Sequence, residues 1–326
     1  MIEPRLLARL ERKKGQLDDL RPLPAAAVRR LEEQLTIEWI YHSNAIEGST
    51  LSLKETRLIL ETGLTIGGRS LREHFEVINH KDAIEYVETL VADAKTTSAP
   101  DPITPFHVRQ IHRLVLARID DDNAGRYRTL PVQIVGTTHQ PPEAWQVPAL
   151  MQEWDDWLNG PAQSMHPIER AALAHHRLAA VHPFIDGNGR TARLVMNVLL
   201  MRDGYPPTII MRTNRSQYYR ILAQADRGNE SPLVNFVGRA VERSLTLYLT
   251  ACTPQTEPAA PEDEWIPLRE AAKGTPYSQE YLSLLARKGR LEAIKRGRVW
   301  HTTHRAVAAY RRSVSGDEDL QVVSSG

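Results

Sequence analysis

The stretch His182-Pro183-Phe184-Ile185-Asp186-Gly187-Asn188-Gly189-Arg190-Thr191-Ala192-Arg193 decides how the rest of the chain is read. It sets an imidazole, a hard carboxylate, two glycines and two arginines between two helical patterns. Upstream, Pro167 begins a run with small or apolar residues at Ala171, Ala174, Leu178 and Val181, a helical spacing that ends at His182. Downstream, Leu194, Val195, Val198 and Leu199 define the inner face of a second helix that stops before Asp203-Gly204. The loop therefore feeds a helix N-terminus, where free backbone N–H groups and the macrodipole attract an anion. Gly187 and Gly189 let the backbone approach that anion, and Arg190 and Arg193 stand on the first turn as cationic forks for phosphate oxygens. A histidine-capped surface loop is the plainer reading, but too many suitable residue types coincide here for it to be preferred.

The same segment resembles the signature of the Fic family, His-x-Phe-x-(Asp/Glu)-Gly-Asn-Gly-Arg-x-x-Arg, at every fixed position. His182 titrates near neutral pH and suits a general base. Asp186 offers a hard oxygen suited to Mg²⁺, which binds few carboxylates and completes its shell with phosphates. Asn188 and the loop amides suit the transferred phosphate, and Arg190 and Arg193 the outer ones; Gly187, Gly189, Thr191 and Ala192 complete the expected nucleotide-binding residues. The resemblance implies an all-α Fic fold with a small β-hairpin flap. It also implies a nucleotidyltransferase reaction, in which AMP moves from ATP to a Ser, Thr or Tyr hydroxyl of a target protein. Relatives that act as kinases depart from the signature around its Gly-Asn-Gly-Arg part, and this chain does not.

Further matches extend the resemblance. Val132-Gln133-Ile134-Val135-Gly136-Thr137-Thr138-His139 alternates like a strand before a glycine turn and resembles the family's flap. Its edge would hold a target segment by strand addition; an ordinary hairpin is the alternative. Arg215-Ser216-Gln217-Tyr218-Tyr219 and Ala225-Asp226 resemble the adenosine-side helix, with Asp226 standing where relatives often carry Asn; Tyr218 and Tyr219 also read as core aromatics. Far upstream, Ser43-Asn44-Ala45-Ile46-Glu47-Gly48 resembles the family's inhibitory motif, although Ser-Asn and Gly equally mark helix ends. The resemblance pairs Glu47 with Arg193, occupying the γ-phosphate's partner, and allows Glu47 to orient a water for AMP removal. His175 and His182 share a helix face, yet packed histidines explain His175 and His176 better than a metal site does.

Composition bounds the remaining choices. The 326 residues carry 41 Lys+Arg against 40 Asp+Glu, so the whole molecule is no polyanion binder. A single cysteine, Cys252, excludes an internal disulfide framework and a multi-cysteine zinc site. No apolar run reads as a signal peptide or membrane span, so the expectation is a cytoplasmic protein without membrane contact. The chain divides into an N-terminal helical region (1–95), the catalytic region (96–250), a Pro-rich acidic linker (251–264), a small module (265–312) and a solvated tail (313–326).

That module holds 11 Lys+Arg and 3 Asp+Glu, while the remainder holds 30 and 37. A basic appendage on an acidic body is the pattern of a nucleic-acid binder. Leu268 to Ala272 reads as a short helix, and Ser278 as the N-cap of a second, with Tyr281, Leu284 and Leu285 facing inward. After Gly289, Ile294 to Trp300 reads as a tight hairpin. The order resembles excisionase-type winged helix-turn-helix domains. These would put Ser278, Gln279, Arg287 and Lys288 at the major groove and Arg296 and Arg298 on phosphates. The alternative is a protein-interaction or dimerisation module. Two functions therefore compete: a self-inhibited adenylyltransferase, and a DNA-binding regulator using the Fic portion as a nucleotide sensor. The partners of these readings are ATP, a target protein, DNA through the module, and a second copy of the chain.

Overall fold

Pro4, Pro105 and Pro167 each open a helix at a position where the missing N–H costs nothing. The computed structural model describes residues 1–96, 101–134, 139–253, 264–273 and 275–321, the stretch 313–321 as backbone. They fall into two units, Met1–Cys252 and Thr253–Gly326.

The first unit is built from α1 (Pro4–Asp19), α2 (Ala25–Ile46), α3 (Leu53–Thr62), α4 (Leu71–Thr96) and α5 (Pro105–Leu116). These are followed by α6 (Val147–Leu158), α7 (Pro167–Val181), α8 (Asn188–Arg202), α9 (Arg215–Ala225) and α10 (Ser231–Cys252). The two helices read from the signature's flanks are α7 and α8, which pack on each other. Helix α8 is apolar on nearly every face, and Leu194, Val195, Met196, Val198 and Leu200 are all buried. A helix of that kind needs neighbours on all sides, and α4, α5 and α7 provide them. Asn197, buried within α8, uses its amide on the backbone of Thr208, accepting at 2.6 Å and donating at 2.9 Å, which pins the following loop. The N-terminal helices share this core: Leu6 and Leu10 of α1 sit against α10 where Gly238 leaves room for them.

The second unit has its own small core of Leu268, Ala271, Leu282, Leu285, Leu291, Val307 and Tyr310. Its elements are β1 (Ile266–Pro267), α11 (Leu268–Ala271), α12 (Gln279–Arg287), β2 (Ala293–Arg296), β3 (Val299–Thr302) and α13 (His304–Gln321). The sheet is antiparallel in the order β1-β3-β2. Arg296 pairs with Val299 across a turn in which Gly297 takes a positive φ of 61°. Ser278 caps α12 by accepting from the Tyr281 N–H at 3.2 Å.

Three expectations need correction. Tyr281 and Leu284 are exposed, at 41% and 45%, and α12 buries Leu282, Leu285 and Ala286 instead. Both faces satisfy helical spacing; the Tyr281 ring is drawn away by stacking on Tyr277 and meeting the Tyr310 hydroxyl at 3.0 Å. Helix α10 continues through Cys252, inside the stretch read as linker. Helix α13 runs to Gln321, where a tail was expected from 313, since an established helix propagates one bond per residue. Among the described residues no helix is long and apolar enough to cross a membrane.

Candidate active site

The signature loop is bent at both ends by left-handed backbone. His182 caps α7 with φ +49° and Gly187 precedes α8 with φ +75°. Between them, Asn188 folds back on Phe184, accepting from its N–H at 2.9 Å and donating to its carbonyl at 2.9 Å. The Asn188 amide is thus used in bracing the loop, although sequence suggested it for phosphate. Phe184 is buried and lies flat on the His112 ring, with centroids 3.6 Å apart. His112 Nδ1 accepts from the Gly125 N–H at 2.9 Å, so Nε2 carries the proton and donates to the Asp186 carbonyl at 2.8 Å.

His182 has a tautomer that follows from its contacts. Its Nδ1 lies 3.3 Å from the Ala179 carbonyl, which can only accept, so Nδ1 bears the proton and Nε2 keeps its lone pair. Burial pushes its pKa down to about 4; the Ala179 carbonyl opposes this and the Arg128 charge reinforces it. The ring is therefore an unprotonated base at neutral pH.

His182 lines a cavity of about 410 Å³ together with Ile185, Asp186, Gly187, Asn188, Gly189 and Arg193. Glu47, Arg215, Tyr218, Tyr219, Leu222 and Asp226 contribute other walls, as do Gln133, Ile134 and His139. Gln133, Ile134 and His139 flank Val135, Gly136, Thr137 and Thr138, the heart of the expected flap, which lie outside the described residues; 131–134 shows no strand pairing. Asp186 faces the cavity with Oδ1 accepting from the Gly187 N–H at 2.6 Å, while Oδ2 pairs with Arg72 and lies 3.5 Å from Arg190. Burial raises its pKa, but Arg190 and the other donors more than offset that and hold it below the ordinary value. Among the described residues no group of three or more His, Cys, Asp or Glu could hold a metal. The single Asp186 carboxylate instead suits an ion that takes its other ligands from phosphate and water.

Glu47 and Arg193 meet in this cavity. Glu47 Oε1 stands 2.7 Å from Arg193 Nη1, and Ser43 holds the same guanidinium through Oγ at 3.1 Å and its carbonyl at 2.8 Å. Burial disfavours the charge on Arg193, yet Glu47 reverses the balance and keeps it protonated. Gly189 makes room for the pair: a Cβ there would stand 2.3 Å from Glu47 Oε1. Ser43 lies inside α2, Glu47 is its C-cap, and Gly48 follows with φ +111°, so the motif is also a helix end.

Other expected site residues are placed differently. Arg190 is 2% exposed and turned toward Glu76, at 3.1 Å, so it stands outside the cavity lining. Thr191 and Ala192 are fully buried in the core. The cause is helical geometry: Gly189 and Arg193, four apart, share the cavity face, and 190–192 rotate away from it. Tyr218 is buried, with its hydroxyl 2.7 Å from His175 Nε2, and Tyr219 lies under the Arg215 guanidinium at 4.9 Å. His176 bonds Asp226 at 2.9 Å; His175 and His176 are packed polar partners. Sequence reading did not single out His112, Arg128 or Glu76.

Residues 102–200 match the Fic/DOC family. Protein adenylyltransferase Fic of Drosophila willistoni is 40% identical over 260 residues, covering 79% of this chain and 50% of the relative. Residues 134–508 of Fic-1 from C. elegans superpose with a TM-score of 0.67 at 38% identity, covering 76% of this chain and 71% of that one. The chain belongs to the Fic family. A Fic domain containing signaling protein from Bacteroides thetaiotaomicron also superposes with a TM-score of 0.68 at 31% identity, covering 75% of this chain and 96% of that structure. This Fic protein spans about half the length of the curated relatives it matches.

The buried histidines make this Fic fold sensitive to acid. Burial lowers His112 to about 4, His175 to about 3 and His182 to about 4, against an ordinary value of 6.5. Between those values the unfolded chain binds protons that the folded chain refuses, so stability is full above pH 6.5 and falls as pH drops toward 4. The urea midpoint at pH 5 is expected below that at pH 7.5; equal midpoints would contradict the neutral, buried assignments.

Proposed function

We propose that this Fic protein is a protein adenylyltransferase, self-inhibited by Glu47. The observation that carries the reading is an unprotonated His182 Nε2 in one cavity with the Asp186-Gly187-Asn188-Gly189 turn and Arg193. The names of the relatives support it. In the proposed step a target hydroxyl oxygen attacks the α-phosphorus of ATP, and its proton passes to His182 Nε2. The bond from the α-phosphorus to the bridging oxygen breaks, AMP stays on the target oxygen, and pyrophosphate leaves. The helix α8 N-terminus and the loop amides attract the phosphates, and Tyr219, Leu222 and Asp226 supply the adenosine end. Asp186 would hold Mg²⁺, which would neutralise phosphate charge. Glu47 on Arg193 would withhold the γ-phosphate's partner, and with a modified hydroxyl in place it would orient water for AMP removal.

Incubation with α-labelled ATP and Mg²⁺ tests the reading. Label that survives denaturation on protein is expected. Nucleotide-dependent DNA binding with no covalent label would favour the sensor reading instead.

The basic excess of residues 265–312, 11 Lys+Arg against 3 Asp+Glu, favours a DNA-contacting role alongside catalysis. Gln279, Arg287, Lys288, Arg296 and Arg298 are all exposed, and Ser278 caps the helix that would enter the major groove. Truncation after Cys252 is expected to leave labelling intact, since the first unit has its own core, and to abolish binding to duplex DNA. Binding by the full chain should fall steeply with salt if it rests on phosphate contacts. Equal gel-shift binding by the truncated and full chains would remove the DNA role from this unit.

A further inference from the structure

Arg128 is spent entirely on backbone carbonyls. The residue is 3% exposed, and among the described residues it has no carboxylate within ion-pair distance. Nε donates to the His182 carbonyl at 2.8 Å, Nη1 to Leu130 at 3.2 Å and Nη2 to Pro142 at 2.5 Å. The Arg128 N–H donates in turn to the Pro183 carbonyl at 2.9 Å. Burying a cation without a counter-charge is costly unless its donors are satisfied by strong acceptors. The three carbonyls come from separate segments, none of them inside a helix or strand. Only a planar fork reaches all three at once, and an ammonium does not.

The segments it joins are those that matter for chemistry. His182 adopts a left-handed φ of +49°, a conformation that persists in a non-glycine residue only where the surroundings impose it. Leu130 and Pro142 flank Gln133, Ile134 and His139, which form the cavity wall. Building on the adenylyltransferase reading, we propose that Arg128 is a positioning residue that holds the His182 peptide and this wall in one frame. It touches neither phosphate nor reacting hydroxyl; it sets where the base stands relative to both. Displacement of a reacting group by about 1 Å costs about 10²-fold in rate.

The test uses the full chain with Arg128→Lys and Arg128→Gln, each also combined with Glu47→Gly to raise the basal rate. Initial self-labelling rates against ATP concentration give kcat and KM, and hydrogen exchange follows the amides of 129–134 and 139–143. The expected result is a kcat lower by about 10²-fold with the KM for ATP changed less than about twofold. Faster exchange should be confined to those two stretches, and the thermal midpoint should stay near that of the parent. Unchanged exchange there would overturn the proposal. So would a kcat loss that tracks global unfolding, or a KM that rises in step with it. If neither the wild type nor Glu47→Gly labels anything, the adenylyltransferase reading fails. The exchange experiment then still decides whether Arg128 fixes the wall.

Discussion

The His182→Ala protein is expected to bind ATP and to transfer no measurable AMP. The structure leaves the imidazole a base facing the cavity, with Nδ1 occupied by the Ala179 carbonyl and Nε2 unprotonated. The parts of the site proposed to bind the phosphates, Gly187, Gly189 and Arg193, are held by other means: Asn188 braces the loop and Ser43 holds the arginine. Removing the ring therefore deletes proton acceptance while sparing the phosphate cradle. A general base contributes about 10²–10⁴ in rate, a loss large enough to remove detectable labelling. The measurement pairs calorimetric ATP binding with labelling by α-labelled ATP. Labelling undiminished from wild type would eliminate His182 as the base. The acid limb of the wild-type rate profile supplies a second check. Because burial depresses the folded value to about 4, the base form persists as pH falls through 6.5, and its loss should lower transfer only as pH approaches about 4.

Replacing Glu47 by glycine is expected to raise transfer, including self-labelling. The carboxylate occupies Arg193 Nη1 at 2.7 Å, while Ser43 keeps Nε and Nη2 in place. Loss of Glu47 thus frees one edge of an arginine that remains aimed into the cavity, ready for the outer phosphate of ATP. The same change strands a buried guanidinium, which costs about 1–3 kcal/mol of stability when no ligand is present. A less stable protein that works faster is diagnostic, because most destabilising substitutions lower activity. ATP should also return more stability to the Glu47→Gly protein than to wild type, since it supplies the missing counter-charge. The double variant Glu47→Gly with Arg193→Ala should lose the gain. Initial labelling rates at equal folded concentration check all three. A folded, ATP-binding Glu47→Gly protein no faster than wild type would leave 43–48 as a plain helix end.

What the sequence alone determined is local. Apolar spacing around the signature marks α7 and α8 and places the loop from His182 to Gly187 between them, because helical periodicity is written in adjacent residues; the left-handed φ of His182 is imposed by its surroundings. The same holds for Ser278 as a cap and for the hairpin read over Ile294 to Trp300. The pairing of Glu47 with Arg193 was legible only through the family resemblance, since no periodicity links positions that far apart in the chain. Tertiary structure alone decided the orientation of α12, because adjacent helical faces are both apolar and only packing selects between them. It also turned Arg190 away from the cavity and committed Asn188 to the backbone of Phe184. His112 and Arg128 were invisible for a deeper reason. Their partners are main-chain carbonyls and amides, which every residue carries alike, so no residue type in the sequence announces where such a bond will form.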